Sequence, residues 1–150
     1  HAWMDQALRN KTIQKTYHAI VTKQKVLKEH DIIDAPIGRT DDSIINRCVR
    51  PDGKPSLTEY WLEETYQHSQ LVKIRLHTGR THQIRVHFSW LGCPLLGDDL
   101  YGGKKIEPLV RQALHCSQLD FIHPMTGEKM CVKAPLPKDM AEWIEGDRYK

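Results

Sequence analysis

The sequence predicts an α+β domain: a mixed, mostly antiparallel β-sheet with a few flanking helices. Three observations predict it. Segments with two-residue apolar alternation outnumber those with helical periodicity. Most links between them are short, which favours antiparallel pairing over long crossovers. No repeat, low-complexity tract or internal linker interrupts the chain, so residues 1–150 read as one domain.

The elements follow in order. Trp3, Met4, Ala7 and Leu8 fall on one helical face with no clear N-cap before them, a pattern expected of a processed chain or a fragment. Lys15 to Thr22 reads as a strand, with Tyr17, Ala19 and Val21 alternating with His18, Ile20 and Thr22. Residues 31–55 are rich in turns, punctuated by Pro36, Gly38, Pro51, Gly53 and Pro55. Leu57 to Glu64 is a second strand. Leu71 to Leu76 is the clearest one, with Val72, Ile74 and Leu76 on one face and Lys73 and Arg75 on the other.

A turn at 78–81 then leads into a helix from His82 to Leu91, with Thr81 as its expected N-cap. Ile84, Phe88 and Leu91 form its apolar stripe, and His82, Arg85 and Ser89 share another face. Gly92 sits where a helix is normally terminated, and Pro94 prevents continuation. A glycine-bearing loop leads to a short helix expected at 108–114. Strands follow at 119–123 and 129–134, and a terminal helix at 137–144.

The length is sufficient to bury a core without disulfides or structural metal. A hydrophobic content of 39% and a charged content of 27% are those of a globular domain. No apolar run approaches bilayer length, and no signal-peptide pattern is present, so a cytoplasmic location without a membrane partner is expected. Cys48, Cys93, Cys116 and Cys131 form no CxxC pair; buried, reduced thiols are expected rather than a cysteine zinc site.

The formal net charge of +3 does not by itself indicate a nucleic-acid partner. Its distribution is more informative. From Thr65 to Gly97 there is no Asp or Glu, whereas Lys73, Arg75, Arg80 and Arg85 are all present. Such a block suits an anion such as phosphate, or a solvated basic face.

The densest chemistry lies in HTGRTHQIRVH, residues 77–87. A strand end, a glycine turn and a helix start present unpaired backbone N–H groups, and Arg80 and Arg85 add forked cationic donors. Structure explains Gly79, Thr81 and Ile84 easily, but two arginines and two histidines crowding one turn less easily.

TGRTHQIRVH, followed by LGCPLLGDDLYGG, resembles the signature of the RluA/RluD-type RNA pseudouridine synthases. KTYHAIV (residues 15–21), DAPIGR (34–39), GKPSLTEY (53–60) and ALHCSQLDFIHPMTGE (113–128) resemble further family segments in the same order. The resemblance implies an RNA-modifying isomerase that detaches uracil, rotates it and rejoins it through carbon, without cofactor or metal. It also implies a flipped-out uridine in loop or single-stranded RNA, with ribosomal RNA as the first candidate and transfer RNA as the second.

By the same resemblance, Arg85 pairs with the catalytic aspartate, Tyr17 stacks on the target base, and Ile84 walls the pocket. Arg80 and His82 are expected to contact RNA phosphates or brace the loop. Lys73 and Arg75 are expected to extend the RNA track or to be a solvated strand face.

The family nucleophile lies in an HRLDxxTSG-like segment upstream of the tyrosine strand, and nothing here matches it. The residues before Tyr17 contain one acid, Asp5, in helical sequence. Asp41 in GRTD follows the tyrosine instead of preceding it, and no TSG comes after it. The chain is therefore expected to be the C-terminal part of a catalytic domain, inactive alone and prone to self-association through open sheet edges. A noncatalytic RNA-binding module is the alternative. A metal-dependent hydrolase is disfavoured, since His82 and His87 do not share a helical face and no HExxH is present.

Overall fold

The computed structural model describes residues 13–43 and 46–148. The expectations on Trp3, Met4, Ala7, Leu8 and Asp5 lie outside the described residues. Ten elements position the site: β1 (Ile13–Thr22), β2 (His30–Asp34), β3 (Ile37–Arg39), β4 (Arg47–Val49), β5 (Leu57–Thr65), β6 (Ser69–Leu76), α1 (Gln83–Trp90), β7 (Leu114–Ile122), β8 (Lys129–Lys133) and α2 (Lys138–Arg148). A 3-10 turn at Asp99–Tyr101 lies between α1 and β7.

Six strands form one sheet in the order β2-β5-β6-β1-β7-β8, and β3 and β4 form a separate two-stranded ribbon. Every pairing among the described residues is antiparallel. The fold is α+β, as the alternation and short links predicted.

The period of two sorts β1 and β6 into two faces. Tyr17, Ala19, Val21, Val72, Ile74 and Leu76 join the cluster closed by Ile84 and Phe88 of α1, together with Tyr60, Leu27, Cys93 and Leu95. Ile20 and Leu71 point the other way, into a second cluster with Met140, Trp143 and Ile144 of α2. Phe88 is fully buried and meets Tyr60 edge-on at 5.6 Å between ring centroids. Burial of such a side chain contributes about 1.5–3 kcal/mol.

The terminal helix is held by an unusual residue. Asp147, in the last turn of α2, is fully buried, although a carboxylate there opposes the helix dipole. It accepts hydrogen bonds from the His68 backbone N–H and from Ser69 Oγ (2.6 Å), both at the β5–β6 turn. Trp143 Nε1 donates to the same Ser69 oxygen at 2.9 Å. Asp147→Ala leaves these donors unmatched and is expected to cost about 1–3 kcal/mol. Faster hydrogen exchange across α2 and the β5–β6 turn would show it; unchanged protection would contradict the clamp.

Four expectations are corrected. Residues 108–114 form no helix, because their backbone is used in pairing: Ala113 N–H donates to Leu96 O and accepts Ile20 N–H through its carbonyl. Thr81 does not cap α1. The cap position is His82, at φ 57° in the left-handed region, with no side-chain cap. β7 begins at Leu114, five residues before the expected strand. The cysteines are unpaired, but only Cys93 is buried; Cys116 and Cys131 are exposed.

Candidate active site

The turn between β6 and α1 is built by Gln83. Its Oε1 accepts from Arg80 N–H (2.9 Å) and Thr78 Oγ1 (2.8 Å), and its Nε2 donates to Leu57 O and Thr58 Oγ1. Thr58 Oγ1 in turn donates to His87 Nδ1 at 2.7 Å, and His87 Nε2 donates to Ala35 O at 2.9 Å. Gln83 and His87 are thus core brackets with both ends satisfied. Their presence in the motif is explained by folding.

Burial pushes the His87 pKa below its ordinary 6.5. Above that value both folded and unfolded chains hold it neutral. Below it the unfolded chain takes up the proton first, so stability falls as pH drops toward the lower folded value. His87→Gln, which cannot titrate, is expected to lose less stability than the parent between about pH 7 and pH 5. Parallel denaturation slopes for the two proteins would contradict this.

The α1 residues that point out of the core make the candidate site. Arg85 donates through Nε (2.9 Å) and Nη2 (2.8 Å) to both oxygens of Asp98, which is buried. The Arg85 side chain is 15% exposed, so one edge still faces solvent. No bond to its Nη1 occurs among the described residues. Asp98 raises the Arg85 pKa, which fixes the guanidinium charge.

The Tyr101 ring lies 5.0 Å from the Arg85 guanidinium carbon. Its hydroxyl accepts Arg47 N–H at 3.1 Å and donates to His82 Nδ1 at 2.6 Å. Burial, then the charges of Arg85 and Arg47, lower the His82 pKa, favouring the neutral ring as acceptor. The left-handed backbone at His82 aims that ring at Tyr101.

Asp98 reaches Arg85 because the chain doubles back at Gly97, whose φ is +78°. A Cβ there would lie 1.8 Å from Arg111 O, so only glycine fits.

Tyr17 lies on the sheet face that α1 covers, paired with Ile74 on β6 and Cys116 on β7. The β1–β7 register shifts between Thr16 and Tyr17, a bulge that re-aims side chains. Burial, then Cys116, raises the Tyr17 pKa, so its hydroxyl remains a proton donor at neutral pH. Ile84 is buried in the same cluster that Tyr17 borders.

The structure therefore brings Tyr17, Ile84 and Arg85 to one side of the sheet. Lys73 and Arg75 lie on the other side. Lys73 sits over the Trp61 ring at 4.8 Å, and Arg75 donates to Gln14 at 2.9 Å. Arg80 braces the turn by donating Nε to Pro55 O at 3.0 Å. Asp41 is exposed and ion-paired with Arg50 at 2.8 Å.

Sequence reasoning missed Asp98 and Tyr101. The signal was present in GDDLYGG, where an acid and an aromatic follow the arginine helix between glycines. Among the described residues no group of three His, Cys, Asp or Glu side chains can hold a metal ion, and no helix is long and apolar enough to cross a membrane.

Comparison with known proteins identifies the family. A family model described as RNA pseudouridylate synthase matches residues 1–90. The chain is 46% identical over 149 residues to the uncharacterized RNA pseudouridine synthase YjbO of Bacillus subtilis, covering 99% of this chain and 52% of that protein. It is 40% identical over 152 residues to ribosomal large subunit pseudouridine synthase D of Vibrio vulnificus, covering 93% and 46% respectively. The chain spans about half the length of these curated relatives.

The solved structure of human RNA pseudouridylate synthase domain containing 4 has the same fold. Its TM-score is 0.75 at 21% identity, covering 96% of this chain and 66% of that one. Family match and fold agree with the motifs read from the sequence, and the chain belongs to the RluA/RluD-type RNA pseudouridine synthase family.

Proposed function

We propose that these residues form the arginine–tyrosine half of a pseudouridine synthase active site, acting on uridine in RNA, with ribosomal RNA the first candidate. The observation that carries this reading is Arg85 clamped by Asp98 and Tyr101 on the sheet side that bears Tyr17. With Nε and Nη2 committed to Asp98, the remaining edge of Arg85 is available to a second carboxylate. Such a pair keeps a nucleophile ionised and aimed. Tyr17 offers a ring for stacking on an extruded base and a protonated hydroxyl.

The attacking carboxylate is supplied from outside the described residues, so the described part alone does not turn over. Asp98 is fully buried and bidentate to Arg85, which makes it a positioning residue and not a nucleophile. β2 and β8 are the edge strands of the described sheet, and self-association through them belongs to the same reading.

The test is nucleoside chromatography of ribosomal and transfer RNA after incubation with a protein in which this segment follows the upstream half of the domain. Conversion of uridine to pseudouridine is expected, and its absence from both RNA pools would overturn the reading.

A further inference from the structure

His82, between the Gly79 turn and α1, is the one non-glycine residue with positive φ among the described residues (φ 57°, ψ 23°). Capping does not account for this backbone, because the side chain caps no helix N–H. Its effect is to place the ring edge-on to Tyr101, at 5.5 Å between centroids. Tyr101 is itself pinned at both ends: its hydroxyl accepts Arg47 N–H at 3.1 Å, and its carbonyl accepts Ser89 Oγ at 2.5 Å. Uncommon backbone held by well-determined surroundings marks functional sites.

Hydrogen-bond accounting fixes the tautomer. A tyrosine hydroxyl has one hydrogen. With Arg47 N–H on its oxygen, that hydrogen goes to His82 Nδ1, 2.6 Å away. The imidazole hydrogen is then on Nε2, which has no hydrogen-bond partner among the described residues. Burial and the neighbouring arginine charges favour the neutral ring. A neutral N–H donor thus stands beside Arg85, with the Tyr101 ring against both. A phosphate is held better by a cation, so this donor suits a carbonyl oxygen.

Uracil offers such oxygens at C2 and C4. Turning the ring about its C6–N3 axis brings C5 to where N1 was and exchanges O2 with O4. One fixed donor therefore meets a carbonyl oxygen before and after the turn.

We propose that His82 is a further catalytic residue, whose Nε2–H donates to a uracil carbonyl oxygen and holds the base while it is detached. The proposal rests on the pseudouridine synthase reading above. When the N1–C1′ bond breaks, its electron pair stays on the uracil, spread over N1, O2 and O4, while the attacking carboxylate bonds C1′. After the turn C5 bonds C1′ and the carboxylate leaves with its pair; the C5 proton is lost and N1 takes one up. His82 transfers no proton. It stabilises charge on oxygen, most strongly when the base is detached. Cytosine carries an amino group at C4, so after the turn the donor would face another donor, and the same contact rejects cytidine.

The test is single-turnover conversion of transcribed ribosomal RNA by the protein that carries the upstream half, read by nucleoside chromatography. The RNA carries a small fraction of 4-thiouridine, whose sulfur is a poor acceptor, so that both nucleosides compete in one pool. Glycine and asparagine both accept a positive φ, so H82G and H82N are expected to fold. H82G should slow conversion about a hundredfold with RNA affinity nearly unchanged. H82N, too short for the same reach, should behave alike. The parent should favour uridine over 4-thiouridine about tenfold, one hydrogen bond's worth, and both variants should lose that preference.

A rate for H82G within threefold of the parent's would overturn the role of His82 and leave the family reading intact. A loss confined to RNA affinity would make His82 a binding residue and overturn it as well. An undiminished preference against 4-thiouridine in both variants would place the donor elsewhere. Absence of conversion by the parent, in transfer RNA as well as ribosomal RNA, would remove the pseudouridine synthase reading and the proposal with it.

Discussion

Asp98→Ala is expected to be the most destabilising single substitution at the site. It strips both acceptors from Arg85 and leaves a largely buried guanidinium without a counter-charge. Breaking a buried pair from one side costs about 3–5 kcal/mol. For a domain of this size that lowers the melting temperature by on the order of 10 °C. The double variant R85A/D98A removes both charges and should regain part of the loss, so a double-mutant cycle should show strong coupling. Additive losses from the two single variants would mean that the pair does not hold the loop at 97–103 against α1.

The second large effect is on turnover. In the protein that carries the upstream half, Arg85→Lys keeps the charge but loses the fork. A lysine ammonium cannot grip both oxygens of Asp98 and still present a second flat edge. Loss of a preorganised electrostatic donor costs about 10²–10³ in kcat. We expect that loss with a much smaller change in KM, since in the proposed site Arg85 acts on the reacting groups more than on RNA affinity. Tyr101→Phe removes the hydroxyl that links Arg47 and His82 but keeps the ring over Arg85, and should cost less. A lysine variant within tenfold of the parent in kcat would mean that the charge suffices and the fork does not matter.

Much of the layout of the candidate site was legible in the sequence because it depends on short-range periodicity. The alternation of β1 put Tyr17 with Ala19 and Val21, and the helical stripe put Ile84 with Phe88. The structure joins these two stripes in one cluster. Alternation also separated Lys73 and Arg75 from Ile74. It could not tell which face of β6 belonged to the site, because that is set by pairing with a strand more than fifty residues away.

The acid-free block shows the same limit. In space it is not acid-free: Glu59 binds His77 at 2.9 Å, and Asp98 binds Arg85 at 2.8 Å. Sequence distance hides a neighbour that a strand pairing or a glycine turn brings back. Thr81 was read as a cap by its type, but the Gln83 side chain already binds the Arg80 N–H, and the helix begins later. Two of the motif's polar residues, Gln83 and His87, have folding roles that only their partners reveal.

The most direct measurement is tritium release from RNA carrying 5-tritiated uridine, comparing this chain alone with the same chain preceded by the upstream half of the domain. Release is expected only from the longer protein, because in the proposed site Arg85, Tyr17 and Ile84 position the uridine and the attacking carboxylate comes from outside the described residues. Release from this chain alone would contradict the account: it would place the nucleophile among these residues and reopen Asp5 and Asp41 as candidates.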